Sequence, residues 1–204
     1  MFNTESIQQL KDAAFKTVLK VHDGKYDRII FSGGSSVIAR QIFLNAWDKL
    51  FTNEPLPAIL SFDSEANRHI YKIMKDVTPE DRQQYIFEYL EKQGISAEKL
   101  GTEKLAYIEE FALSGEKYGY IKKFFTDIGL HNIDYHFFAT KNADNIEGAW
   151  VATENPELTG RLVRLSENLR GSTFEPQEMG KIPREVIMER AKFDLSNITK
   201  AILE

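Results

Sequence analysis

Two adjacent acidic residues, Glu109 and Glu110, follow the mostly apolar run Leu105 to Ile108. Ser114 and Gly115 come a few residues later, at the start of a segment whose apolar side chains have helical spacing. Small residues that lead into a helix direct several backbone N–H groups toward one point, where phosphate binds well. Carboxylates nearby can accept hydrogen bonds from sugar hydroxyl groups or help to bind a divalent cation. The pattern therefore indicates a phosphate site, with carboxylates beside it that could bind sugar hydroxyls or a divalent cation.

A second candidate loop has the sequence Ser-Gly-Gly-Ser-Ser and follows the apolar run Arg28 to Phe31. Its members are Ser32, Gly33, Gly34, Ser35 and Ser36. The two glycines allow the backbone to approach a ligand closely, and the three serines add hydroxyl donors. The loop has neither the Gly-Lys-Ser/Thr ending of a Walker loop nor the glycine spacing of a dinucleotide fingerprint. It is typical of an anion site, and also of a tight turn that only begins a helix.

The elements that must position these loops alternate between strands and helices. Short apolar runs predict strands at 28–31, 57–62, 105–108, 133–139 and 149–152. Helical spacing predicts helices at 6–21, 37–50, 158–169 and 183–203. One further helix begins at 78, and another ends at 129. Ser6 and Gln9 are placed as a capping box at the start of the first helix. This alternation favours an α/β fold with a doubly wound, mainly parallel sheet of about five strands flanked by helices. Ligands of such sheets bind beyond the carboxyl ends of the strands, at a switch in strand order.

The whole chain, residues 1–204, is predicted to form one domain. Its 204 residues, 42% of them hydrophobic, are enough for one sizeable core. The core is expected at about 26–153, with a helical insertion at about 64–103 and a C-terminal helical extension at about 155–204. Aromatic and apolar residues in the insertion are typical of a cover over the sheet or of a contact within a homodimer; they are Tyr85, Phe87, Tyr89 and Leu90.

Composition excludes several classes of protein. Twenty-six Lys and Arg residues against 31 Asp and Glu give a formal net charge of −5, which is not the footprint of a protein that binds duplex nucleic acid. No stretch approaches the roughly 18 apolar residues of a membrane helix, and the first residues lack the layout of a signal peptide. The absence of cysteine excludes disulfides and thiolate chemistry. A reducing compartment such as the cytoplasm is therefore expected, without a membrane partner.

The segment LAYIEEFALSGEKY, followed by a helix and IDYHFFA, resembles a known motif. It is similar to the phosphoribosyl-diphosphate (PRPP) binding motif of type I phosphoribosyltransferases, and IIFSGGSSVIARQIF resembles the pyrophosphate loop of that family in position and order. The resemblance covers roughly residues 28–140. It implies a phosphoribosyltransferase-like fold and the transfer of a phosphoribosyl group from PRPP to a base or amine, with release of pyrophosphate.

The resemblance also implies roles for individual residues. Glu109 and Glu110 would be the catalytic pair that contacts the ribose hydroxyls. The 5′-phosphate would be wrapped by Leu113, Ser114, Gly115, Glu116 and Lys117, and the pyrophosphate would face Ser32 to Ser36. Mg2+ would be the cofactor and would arrive with PRPP rather than in a direct cluster of protein ligands. Lys141 and Trp150 are the candidate contacts to the acceptor.

The chain departs from the family pattern at three residues of the motif. Glu110 stands where Asp is usual, Leu113 where a small, hydroxyl or acidic residue is common, and Glu116 puts a negative charge in the phosphate loop. Leu113, in place of the acid that serves as a base in some members of the family, disfavours a 6-oxopurine acceptor. Together the three departures keep open a non-catalytic sensor of PRPP or nucleotides, or a protein-interaction scaffold, on the same fold. The Ser-Gly-Gly-Ser-Ser loop also resembles that of sugar-phosphate isomerases and lactonases, a third hypothesis that gives the acidic pair no role.

Overall fold

The computed structural model describes residues 2–31, 36–61, 78–92, 95–113, 115–169 and 184–204. The strands are β1 (Arg28–Phe31), β2 (Ala58–Ser61), β3 (Leu105–Ala112), β4 (Ile133–Thr140) and β5 (Trp150–Glu154). The helices are α1 (Thr4–Gly24), α2 (Ser36–Leu50), α3 (Pro79–Lys92), α4 (Ala97–Thr102), α5 (Glu116–Asp127), α6 (Pro156–Leu169) and α7 (Arg184–Leu203), with a short 3-10 helix at Ala143–Ile146.

The five strands of the described residues form one parallel sheet in the order β2-β1-β3-β4-β5. The chain leaves β1 toward β2 at one edge and returns to β3 on the other side of β1. The order therefore reverses between β1 and β3, and the ends of these two strands border the crevice where doubly wound sheets bind ligands. The predicted α/β sheet of about five strands flanked by helices is confirmed.

Helices cover both faces of the sheet. On one face, α1, α2, α6 and α7 pack against alternating strand residues such as Ile29, Phe31 and Ile108. On the other face, α3, α4 and α5 pack against Ile30, Tyr107 and others. Buried strands read as continuous apolar runs when both faces are covered, which explains why RIIF in β1 is buried at every position.

The predicted insertion and extension are helical where the structure describes them. Residues 62–77 lie outside the described residues, and α3 and α4 occupy most of the rest of the segment between β2 and β3. Thr78 begins α3 as expected, because its hydroxyl accepts a hydrogen bond from the backbone N–H of Asp81 at 3.2 Å. Ile86 and Leu90 are buried against the sheet, so this helix covers it.

Two predicted boundaries are wrong. The capping box of α1 lies at Asn3 and Ser6, not at Ser6 and Gln9. The Asn3 side chain accepts a hydrogen bond from the Ser6 backbone N–H at 2.8 Å, and the Ser6 hydroxyl accepts one from the Asn3 backbone N–H at 2.9 Å. An earlier cap adds one more turn to the helix. β3 runs four residues beyond Ile108, to Ala112, because the neighbouring β4 continues to Thr140 and pairs with it.

Polar contacts join the amino ends of the strands, a border of the sheet that we call its amino edge; the opposite border, at the carboxyl ends of the strands, is the carboxyl edge. Arg28 donates two hydrogen bonds to the carboxylate of Glu103, at 2.6 and 3.0 Å, and both side chains are nearly buried. Tyr26 donates to Asp134 at 2.7 Å and lies 3.1 Å from Nε2 of the buried His136. These contacts join the starts of β1, β3 and β4. Within the described part of the chain, no helix has the length and apolar character needed to cross a membrane.

Candidate functional site

The two acids of the motif lie at the carboxyl end of β3, inside the protein. Glu109 is 2% exposed and Glu110 is fully buried. Ile108 pairs with Phe31, the last residue of β1, so both acids lie beyond the end of β1, on the border of the crevice. Because successive strand residues face opposite sides of the sheet, Glu109 lies on the side of α5 and Glu110 on the side of α2 and α6. The two adjacent carboxylates therefore lie in different surroundings, one on each side of the sheet.

Gly115 begins α5 in a conformation that favours glycine. Its φ is +77°, and a β-carbon added there would overlap the backbone carbonyl of Asn145. The residue at the helix cap has no side chain, so it offers no acceptor to the N–H groups of the first turn. Those groups carry the positive end of the helix dipole. The glycine thus allows close packing against the 3-10 segment and leaves the helix start suited to an anion.

A cavity of about 290 Å³ lies between the end of β3 and the start of α5. The described residues around it are Glu109, Phe111, Ala112, Leu113, Gly115, Glu116, Lys117, Tyr118, Tyr120 and Phe137. It brings together one acid of the predicted pair and four residues of the predicted phosphate loop. Its size is close to the lower end of the range for small-molecule sites.

Glu109 forms an ion pair with Lys117 across this cavity. The lysine stands in the first turn of α5 and is 43% exposed, whereas the carboxylate is almost completely buried. A buried carboxylate is costly unless a cation or hydrogen-bond donors compensate it. The lysine therefore supplies charge compensation at the one place where the sequence predicts ribose hydroxyls.

The remaining wall of the cavity is held by hydrogen bonds. Tyr118 donates its hydroxyl to the backbone carbonyl of Glu147 at 3.1 Å, which ties α5 to the segment after β4. Thr140 donates to the carbonyl of Ala112 at 3.0 Å, which joins the ends of β4 and β3. Glu116 accepts a hydrogen bond from Tyr120 at 3.3 Å. The negative charge of Glu116, expected to oppose phosphate, does lie in the cavity wall.

Several predicted site residues lie elsewhere. Ser32, Gly33, Gly34, Ser35 and Ser114 are outside the described residues, and Ser36 is the first residue of α2, with its side chain undescribed. Lys141 is exposed directly after β4. Trp150 begins β5 opposite His136, whose ring is 5.9 Å away. Neither Lys141 nor Trp150 is among the described residues that line the cavity.

Sequence reasoning missed the aromatic part of the wall. Tyr118 and Tyr120 follow Gly115 by three and five residues, and this closeness to the predicted phosphate loop was a usable signal. Phe137 in β4 and the backbone of Asn145 reach the site through the fold, and no local pattern marks them.

The described residues contain no group of three or more His, Cys, Asp or Glu side chains that could hold a metal ion. Glu109 and Glu110 provide oxygen atoms of the kind that Mg2+ prefers, but one of them is paired with a lysine. One of the two carboxylates is therefore already engaged by a cation of the protein itself.

No family model, curated protein or solved structure matches the chain.

Proposed function

We propose that the crevice beyond β1 and β3 binds the phosphoribosyl group of PRPP or of a nucleoside 5′-monophosphate, and that the protein transfers this group from PRPP to a base or amine. The supporting observation is the cavity that joins Glu109 to the glycine-led start of α5. Acceptors of hydroxyl hydrogen bonds and donors to phosphate stand on either side of one small space. A 5-phosphoribosyl group carries both kinds of partner at its two ends.

In this function the first turn of α5 binds the 5′-phosphate, through its backbone N–H groups and Lys117. Glu109 accepts hydrogen bonds from the ribose hydroxyls, whereas Glu110, on the opposite side of the sheet, does not line this cavity. The bond between the anomeric carbon and the pyrophosphate oxygen breaks, and its electron pair leaves with pyrophosphate. A lone pair of the acceptor nitrogen forms the new bond, and the acceptor loses a proton. The buried carboxylate of Glu109 near the ribose stabilises the positive charge that develops on the ring.

Mg2+ enters this function as part of the PRPP complex. It neutralises charge on the diphosphate, and the leaving group is then less basic and easier to expel. The residues of the chain would position the ligand: Glu109 at the end of β3 orients the sugar, and the start of α5 holds the phosphate.

The test is thermal unfolding of the protein with and without PRPP and Mg2+, for the wild type and for a Glu109→Ala, Glu110→Ala double variant. A ligand that binds only the folded state raises the melting temperature by mass action. We expect a shift in the wild type at millimolar ligand and a much smaller one in the double variant. Ribose without phosphate is the matched control ligand and should give no shift. The proposal fails if PRPP and ribose 5-phosphate both leave the wild-type melting temperature unchanged.

A second candidate function, a non-catalytic sensor of PRPP or nucleotides, is favoured by one observation. Glu109 neutralises Lys117 and Glu116 adds a negative charge to the cavity wall, so the site has little positive charge left to stabilise a departing pyrophosphate, which turnover needs and a sensor does not. Measuring the release of pyrophosphate distinguishes a transferase from a sensor. A transferase releases pyrophosphate when PRPP is mixed with a panel of bases and amines, whereas a sensor binds PRPP and releases none.

A further inference from the structure

The ion pair between Glu109 and Lys117 occupies the groups that a phosphoribosyl ligand would use. Lys117 is the cation in the first turn of α5, and Glu109 is the acid that lines the same cavity. Their charges neutralise one another across the space that the ligand must enter. Without a ligand, the cation that would bind phosphate and the acid that would bind the sugar therefore bind each other.

The two partners differ in how readily they can separate. Lys117 is half-exposed and has a long flexible stem, so its ammonium group can turn to water or to another anion. Glu109 is almost fully buried within β3 and cannot leave the cavity. A carboxylate in that position loses its compensating cation when the lysine moves away, and new hydrogen-bond donors offset that loss. Hydroxyl groups of a sugar are suitable replacements, because each donates a hydrogen bond.

We propose that the Glu109–Lys117 pair is a switch that a phosphate group opens, so that phosphate and sugar hydroxyls bind to this site cooperatively. This inference rests on the proposed function and specifies its ligand class. A phosphate draws Lys117 away from Glu109, and the hydroxyls of the same molecule then compensate the buried carboxylate. The site thereby selects molecules that carry a phosphate and hydroxyl groups together, and discriminates against either group alone.

The switch makes a prediction that a simple binding site does not make. Removing the charge of Glu109 deletes a contact to the sugar, but it also removes the competitor of phosphate for Lys117. Glu109→Gln should therefore bind inorganic phosphate more tightly than the wild type, by about fivefold if the pair contributes near the upper end of the range for partly exposed ion pairs. It should bind ribose 5-phosphate with a smaller advantage over inorganic phosphate than the wild type does.

A double-mutant cycle separates the switch from general electrostatics. Inorganic phosphate is titrated calorimetrically into the wild type, Glu109→Gln, Lys117→Met and the combined variant. Loss of a nearby negative charge would tighten phosphate binding with or without Lys117. The switch instead requires that the gain from Glu109→Gln disappear in the Lys117→Met background. Glu157→Gln is the matched control: it removes the same charge from an exposed residue of α6 that is not among the residues lining the cavity, and should leave phosphate affinity within about twofold.

The outcomes are distinguishable from those for the proposed function. An equal gain with and without Lys117, or no gain in Glu109→Gln, overturns the switch. If ribose 5-phosphate binds to the wild type no more tightly than inorganic phosphate, the phosphoribosyl proposal fails, whatever the cycle shows. Should Glu109→Gln fold poorly, Glu109→Asp replaces it. Its shorter side chain retains the charge but weakens the contact to Lys117, and a partial gain in phosphate affinity is expected.

Discussion

The two edges of the parallel sheet each carry an ion pair, and the pairs are built differently. At the amino edge, Arg28 and Glu103 are 11% and 12% exposed and meet through two hydrogen bonds in a planar fork. At the carboxyl edge, Glu109 is 2% exposed but its partner Lys117 is 43% exposed and borders a cavity. Both partners of the Arg28–Glu103 pair are shielded from solvent, whereas one partner of the Glu109–Lys117 pair is exposed to it.

This difference separates a structural contact from an exchangeable one. The guanidinium fork matches the carboxylate geometry and leaves little room for another anion. The ammonium group of Lys117 is a flexible point charge that can change partners. We infer that the amino edge mainly stabilises the fold, whereas the carboxyl edge is arranged to bind a ligand.

The largest expected effect comes from removing one charge at each edge. Glu103→Gln leaves the guanidinium of Arg28 in a nearly buried position without its carboxylate, and should lower the free energy of unfolding by about 3 kcal/mol. Glu109→Gln should lower it by at most about 1 kcal/mol, because water can solvate the half-exposed Lys117. Chemical denaturation of both variants measures the difference.

The control for this pair of variants is Glu157→Gln, which removes an exposed partner of Arg161 within α6. Its effect should stay within about 0.5 kcal/mol. Equal losses of stability in Glu103→Gln and Glu109→Gln would contradict the distinction between the two edges.

The amino edge also contains a group that makes the stability of the fold depend on pH. His136 lies in the buried network with Tyr26 and Asp134. Burial, opposed by Asp134 and reinforced by the charges of Lys20 and Lys104, lowers its pKa to about 4. The unfolded chain takes up a proton near the ordinary histidine pKa of 6.5, and the folded chain takes it up only near 4. The unfolded state therefore binds more protons between these values. This residue alone should lower the free energy of unfolding by about 3 kcal/mol as the pH falls through that range.

Denaturation curves from pH 7 to pH 4 measure this effect for the wild type and for His136→Gln, whose amide can still reach Tyr26. The wild type should lose about 3 kcal/mol more than the variant over that range. His131→Gln, which changes an exposed histidine, should follow the wild-type curve. Parallel curves for the wild type and His136→Gln would show that the buried network does not make the protein sensitive to acid.

The sequence predicts most of the fold because local patterns carry it. Apolar runs place β1 and β4 to within one residue, and Thr78 marks the start of α3. The end of β3 could not be read from its own residues. Glu109 and Glu110 suggest a loop by their polarity, and only the pairing of β3 with β4 keeps them in the strand.

The candidate site was predictable in its motif but not in its contacts. The acidic pair and Gly115 stand out because their residue types and order have a chemical use. The pairing of Glu109 with Lys117 depends on where α5 begins relative to β3, which spacing alone does not fix. The approach of Asn145 to Gly115 joins segments that are distant in sequence, and depends on the sheet order.

A substitution at the start of α5 links folding to binding at the carboxyl edge. Gly115→Ala forces an L-residue into positive φ and pushes its β-carbon against the carbonyl of Asn145, so α5 or the 3-10 segment must shift. We expect a loss of about 1–3 kcal/mol in the free energy of unfolding. Gly119→Ala, one turn later in the same helix, meets no atom within 4 Å and should stabilise the protein by about 0.5–1 kcal/mol.

Binding of ribose 5-phosphate, measured by calorimetry, then tests what the helix start does. Gly115→Ala moves the first-turn N–H groups and Lys117 away from the cavity, and should weaken binding more than tenfold, since misplaced donors lose most of their hydrogen-bond energy. Gly119→Ala leaves the first turn in place and should bind as the wild type does. If Gly115→Ala lowers stability but leaves affinity unchanged, the start of α5 is a structural contact like the amino edge, and the phosphate must be bound elsewhere in the crevice.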